Sequence, residues 1–211
     1  SAGHWLDGSM FDSAMNYELR RHCRRFFAEQ TEDAFTFSGR CTGMLMRYRR
    51  QLVPAQLNLL DSHDVSRFLS LCGGDERRHR LAVLFQMCFP GMPSVFYGDE
   101  LGITGILEAD YRSPMPWQGG YTESLAFYKR AIALRRTLAP LQRGEFRALE
   151  ARRGSGLFAF AREYGGERVN VVLNCSERAE NFAPAGEMLW SEGLAGGKIG
   201  PYGFAVSIER G

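Results

Sequence analysis

Residues 57–68 read L-N-L-L-D-S-H-D-V-S-R-F, an apolar run that turns polar at Asp61, Ser62, His63 and Asp64. A short apolar run punctuated by Pro54 predicts a strand over 56–60. The same texture recurs on either side. Residues 10–17, M-F-D-S-A-M-N-Y, predict another strand, and 94–97 a third that ends in Gly98-Asp99-Glu100. Helical patterns separate them. Leu19, Cys23, Phe26 and Phe27 fall at i, i+4, i+7 and i+8 of a helix over 18–30, and Phe37, Cys41, Leu45 and Tyr48 line a second over 33–50. Asp75, after two glycines, is an N-cap for a helix over 76–89 whose second half is almost wholly apolar, hence buried on most of its girth. Strand and helix in alternation predict a parallel α/β sheet with its sites at the C-terminal ends of the strands.

An irregular stretch, 101–121, precedes a helix over 122–138 that carries Leu125, Tyr128, Ile132 and Leu138 along one stripe. After Pro140 the texture changes. F-R-A-L-E, L-F-A-F-A-R, V-N-V-V-L-N and G-F-A-V-S-I-E alternate apolar and polar residues, and Gly165-Gly166 supplies a hairpin turn. This pattern predicts an antiparallel β-sandwich. The expected organisation is therefore α/β plus all-β, with one domain over 1–138 and a second over 139–211.

A formal charge of +2 excludes the strong field of a dedicated nucleic-acid binder. The arginine clusters at 20, 21, 24, 25 and at 47, 49, 50 read as solvated faces of surface helices. Phe26 and Phe27 fall on a helical core pattern and not on a base-stacking platform. Five cysteines, an odd number with no paired spacing, read as reduced, buried thiols of a cytoplasmic protein. No apolar run reaches the roughly 18 residues of a membrane span, so neither membrane nor nucleic acid is an expected partner. The sequence starts without Met and in mid-motif, S-A-G-H-W-L-D-G, so an upstream continuation is expected.

Residue type alone leaves three readings of Ser62-His63-Asp64. Such an Asp often caps the next helix, and such a His is often a satisfied hydrogen-bonder. A metal site needs a third ligand, and His4, His22 and His79 have no ligand-like spacing, so no metal or cofactor is expected. A sugar-cleaving pocket would use carboxylates to protonate a leaving oxygen and stabilise an oxocarbenium-like transition state. Tyr111, Arg112 and Trp117 would suit such a cleft through stacking and hydrogen bonds.

N-L-L-D-S-H-D-V-S-R-F (58–68) resembles the fourth conserved region of the α-amylase family, glycoside hydrolase family thirteen. G-M-P-S-V-F-Y-G-D-E-L-G (91–102) resembles the segment on that family's eighth barrel strand, and Y-R-S-P-M-P-W (111–117) its R-x-P-M-x-W loop. W-L-D-G-S-M-F-D-S-A-M-N-Y (5–17) is similar to the corresponding stretch of neopullulanases, cyclomaltodextrinases and maltogenic amylases. The resemblance implies the C-terminal part of a (β/α)8 TIM barrel, about strands six to eight, followed by a β-sandwich. It implies that Asp64 is the third active-site carboxylate, gripping hydroxyls of the sugar at the cleavage point, and that His63 bonds the same ring. It implies a donor-side sugar contact for Arg112, with Glu108 standing where Asp is usual and Ala109 where Pro is common. Asp99 and Glu100 would hold the end of strand eight.

The nucleophile Asp of that family lies in a G-x-R-x-D segment and its acid Glu in a G-E-x-W-H-like stretch, and neither occurs in these 211 residues. The expectation is thus the C-terminal portion of a retaining hydrolase of maltodextrin, cyclodextrin or pullulan, inactive alone. Its partners would be an α-glucan oligosaccharide and either the rest of the barrel or a second copy. A non-catalytic α-glucan-binding or assembly fragment is the alternative.

Overall fold

The computed structural model describes residues 6, 10–118 and 122–211. Most of residues 5–9, at the start of the 5–17 motif, and residues 119–121 lie outside the described residues. Helix α1, Tyr17–Cys23, starts at Asn16, whose Oδ1 accepts the Leu19 N–H at 3.0 Å. A π-helical turn, Arg24–Ala28, continues it. Helix α2, Ala34–Arg47, is capped by Asp33, which accepts the Thr36 N–H. Strand β1 is Leu57–Leu59, α3 Phe68–Leu71, α4 Glu76–Cys88 with Asp75 as its cap, and β2 Met92–Ser94.

β1 and β2 pair in parallel, Leu57 opposite Met92 and Leu59 opposite Ser94, while Met15 bridges Leu57 in parallel from the other side. The three parallel segments thus exist, but shorter than the pattern predicted. The first contracts to Met15 because Asn16 already serves as a helix cap. The third sits at 92–94 and not 94–97 because Asp99 folds the chain back, accepting the Phe96 N–H at 3.1 Å. Buried amides lock the segments together. Asn16 donates to Asn58 Oδ1 at 2.9 Å, Asn58 donates to Pro90 O at 2.8 Å, and Gln86 donates to both Asn58 O and Ser94 O.

The 101–121 stretch contains a short helix, α5, Glu108–Tyr111. Helix α6, Glu123–Thr137, follows its Thr122 cap, and α7, Ala139–Arg143, carries Pro140 in its first turn, where a missing N–H costs nothing. The buried face of α6 is Ser124, Phe127, Tyr128 and Ala131, a stripe rotated from the predicted one, since Ile132 is 36% exposed.

Strands β3 (Glu145–Ala151), β4 (Leu157–Tyr164), β5 (Glu167–Asn174), β6 (Glu180–Asn181), β7 (Glu187–Ala195) and β8 (Lys198–Arg210) are all antiparallel. β4 and β5 meet across Gly165-Gly166, whose φ values of 61° and 83° make the two-residue turn that only glycine adopts freely. Where the alternation had suggested two facing sheets, the described strands join in one, with β8 paired to β5, β6 and β7. Its inner face (Phe158, Phe160, Val169, Val171, Phe204, Val206) joins one hydrophobic core with Phe27 beyond α1, Phe37 of α2, Phe85 of α4 and Phe127 of α6. Its outer face carries a smaller cluster of Leu157, Ala159, Val172, Ile199 and Ala205.

The arginines are not all solvated. Arg20 is buried and donates to Leu60 O at 2.6 Å and Ser66 O at 2.8 Å, and burial lowers its pKa. Arg24 pairs with Glu29, and Arg25 and Arg40 share Glu32. All five cysteines are free and buried.

Candidate active site

The chain leaves β1 through Asp61 and Ser62 and turns back at once, with Ser62 and Val65 bridged. The Asp64 N–H donates to Ser62 Oγ at 3.2 Å, a local turn that projects His63 and Asp64 outward. Their side chains are 62% and 55% exposed, and His63 Nε2 lies 3.2 Å from Asp64 Oδ1.

Two other segments converge on this turn. From α1, the Tyr17 hydroxyl donates to Asp64 Oδ2 at 3.3 Å and lies 3.0 Å from Ser62 Oγ. From the end of α5, Arg112 Nε donates to His63 O at 2.8 Å, while its Nη2 stands 3.9 Å from Asp64 Oδ1 and its Nη1 3.0 Å from Glu108 Oε1. Asp64, His63, Arg112 and Glu108 therefore form one group, and Tyr17 joins it. Trp117 is 84% exposed, and among the described residues no hydrogen bond or ring contact links it to the group. A cavity of about 410 Å³ opens beside Asp64 and Glu108, walled by Arg20, Ser66, Leu107 and Tyr111. Its size is in the range of small-molecule sites.

Beneath the turn lies a buried layer. Asp61 Oδ2 accepts the Phe68 N–H at 2.9 Å and so caps the short α3. Arg67 Nη1 donates to Asp99 Oδ1 at 2.7 Å, with neither side chain more than 4% exposed. Burial pushes the Asp61 and Asp99 carboxyls up, Asp99 further because Asp61 is beside it. Asp99 thus ties the end of β2 by hydrogen bonds.

Chemically, the exposed group offers carboxylate oxygens as acceptors and guanidinium, imidazole and phenol as donors, the complement of a polyol. Cleavage of a glycosidic bond takes two carboxyl groups on opposite sides of that bond. Here Arg112 stands between the two exposed carboxylates, 3.9 Å from Asp64 Oδ1 and 3.0 Å from Glu108 Oε1. Among the described residues no cluster of three or more His, Cys, Asp or Glu could hold a metal ion, and no helix is long and apolar enough to cross a membrane.

Residues 1–136 match the family described as alpha amylase, catalytic domain. The chain is 45% identical over 175 residues to neopullulanase 2 of Thermoactinomyces vulgaris, a match covering 82% of this chain and 30% of that protein. It is 40% identical over 181 residues to the cyclomaltodextrinase of Thermoanaerobacter pseudethanolicus, covering 85% and 31%. Its fold superposes on cyclic alpha-maltosyl-(1→6)-maltose hydrolase from Arthrobacter globiformis with a TM-score of 0.86 at 27% identity, covering 99% of this chain and 47% of that one. The chain thus spans about a third of the length of these two curated relatives.

Proposed function

This chain belongs to the α-amylase catalytic-domain family, and from that premise we propose that it supplies about strands six to eight of a retaining α-glucan hydrolase barrel, acting on maltodextrin, cyclodextrin or pullulan. The observation that carries the reading is the convergence of Asp64, His63 and Arg112 at the end of a parallel strand. In this reading Asp64 accepts from hydroxyls of the sugar at the cleavage point and His63 bonds the same ring. Arg112, braced by Glu108, grips the donor side, and Trp117 offers a stacking face further along. Tyr17 holds the Asp64 carboxylate in place. Bond making and proton transfer fall to a nucleophile Asp and an acid Glu outside these 211 residues, so the chain alone is inactive.

The apolar surface supports a barrel partner. Met15 and Met92 flank Leu57 at one level of the parallel segments and are 42% and 46% exposed, and Met10 and Phe11 are each 60% exposed. Closed barrels fill that interior with layers of side chains from alternate strands. Residues 1–138 are then the barrel segment and 139–211 the domain that follows it, in a cytoplasmic protein.

The test expresses the chain joined to the five preceding barrel strands and measures hydrolysis of maltohexaose and β-cyclodextrin. Asp64→Asn should lower kcat/KM by about 10²–10³-fold with an unchanged unfolding midpoint. Wild-type activity in Asp64→Asn, or no reducing ends released by the parent protein, would overturn the reading.

A further inference from the structure

Arg67 has no exposed surface, and its guanidinium reaches two separate segments of chain, 97–99 and residue 111. Nε donates to Tyr111 O at 3.1 Å, and Nη1 donates to Tyr97 O at 2.8 Å and to Asp99 Oδ1 at 2.7 Å. The Phe96 and Tyr97 rings lie 4.3 and 4.9 Å from its central carbon, so both aromatic neighbours favour the charge. The backbone is stitched at the same place. Arg67 N–H donates to Gly105 O at 2.9 Å, and Ser66 Oγ donates to Ile106 O at 2.9 Å.

These bonds fall on both sides of the sugar-facing group. Tyr111, whose carbonyl Arg67 holds, immediately precedes Arg112, whose own Nε is bound to His63 O. Two consecutive residues at the end of α5 are therefore fixed to the turn that carries Asp64, one from below by Arg67 and one from above by the His63 carbonyl. Released from Arg67, the Tyr111 backbone is free to shift, and Arg112 shifts with it relative to Asp64. A lysine in the same place has a single point of attachment and cannot span carbonyls on two segments while facing a carboxylate.

We infer that Arg67 is a positioning residue for sugar recognition: it touches no ligand and fixes the placement of Arg112 against Asp64. The inference rests on the proposed glucan site. Its test is a double-mutant cycle in the same barrel-complete protein, with Arg67→Lys, Arg112→Lys and both together. Arg67→Lys should cost about 10²-fold in kcat/KM for maltohexaose, as misplacements of about 1 Å do, with KM carrying most of the loss. The double variant should be no worse than Arg112→Lys alone, because both changes act through one contact. Multiplicative losses, or an Arg67→Lys variant with wild-type kcat/KM, would overturn the inference.

If Arg67→Lys does not fold, Asp99→Asn replaces it, leaving both carbonyl bonds of Arg67 intact. Its smaller loss should likewise vanish on the Arg112→Lys background, and a loss that persists there would overturn the inference. Amide hydrogen exchange at 105–112, measured without sugar, separates this inference from the reading beneath it. Faster exchange there in Arg67→Lys alongside an inactive wild type would remove glucan hydrolysis and keep the positioning role. Unchanged exchange alongside an active wild type would do the reverse.

Discussion

Asp64 is held at Oδ2 by the Tyr17 hydroxyl, and its Oδ1 lies 3.2 Å from His63 Nε2. Tyr17→Phe removes that hold, and at about 1 kcal/mol per hydrogen bond it should weaken maltohexaose binding about five-fold by calorimetric titration. An unchanged Kd would show that the phenol does not align the carboxylate. His79 poses a different question. Burial, helped by Arg80, pushes this imidazole down to about 4 from its ordinary 6.5, and its Nε2 lies 3.4 Å from the Tyr128 hydroxyl. The unfolded chain therefore binds an extra proton between those two pH values, and stability falls as pH drops from about 6.5 to about 4. The loss is on the order of 3 kcal/mol, and His79→Gln should flatten that part of the urea-midpoint profile. The place of His63 and Asp64 at a strand end was legible in L-L-D-S-H-D because strand-end polarity is local, whereas the roles expected of them came from the family resemblance alone. Tyr17 was not legible, since its bond to Asp64 spans 47 residues and arises only when two parallel segments lie side by side.

At the scale of elements, periodicity found the helices but not always the face they bury. On α6 the stripe through Leu125, Tyr128 and Ile132 fits a helix as well as the observed one through Ser124, Phe127, Tyr128 and Ala131. The sheet decides between them, for Phe127 meets Trp190 at 4.7 Å and Phe204 at 5.9 Å between ring centres. Phe127→Ala should cost about 3–5 kcal/mol in denaturant unfolding. Ile132→Ala, at an exposed position, should cost under about 1 kcal/mol; equal losses would contradict the observed face. The cap of α2 reaches further than capping requires. Asp33 accepts not only the Thr36 N–H but also the Gly154 N–H in the β3–β4 turn, both at 2.8 Å. These bonds, the Gly154 one first, bring its carboxyl down to about 2 from its ordinary 3.8. Its contribution is complete above pH ~4 and disappears as pH falls through about 2, a window below that of His79. Asp33→Ala should cost about 1–2 kcal/mol at neutral pH, and Asp33→Asn should retain most of that while removing the acid-limb dependence.

Across the whole molecule, the change of texture after Pro140 correctly announced antiparallel strands, because alternation is written into each strand. What the sheet packs against is not a local property. Phe37 of α2 lies 5.1 Å from Phe85 of α4 and 5.4 Å from Phe158 of β4, so one aromatic cluster ties the helical part to the sheet. Scanning calorimetry should therefore record a single transition, and two resolved peaks would show that the parts fold separately. The position of β8 has a consequence for assembly during synthesis. Its thirteen residues pair with β5, β6 and β7, yet they follow all three in the chain. A ribosome releases a chain from its N-terminal end at about 5–20 residues per second. β3, β4 and β5 can form a three-stranded meander as they emerge, whereas β7 has no partner to pair with until β8 arrives. The middle of the sheet is thus its last strand to be made, and until then one edge of β5 and the aromatic face behind it stay open to chaperones or to a neighbouring nascent chain.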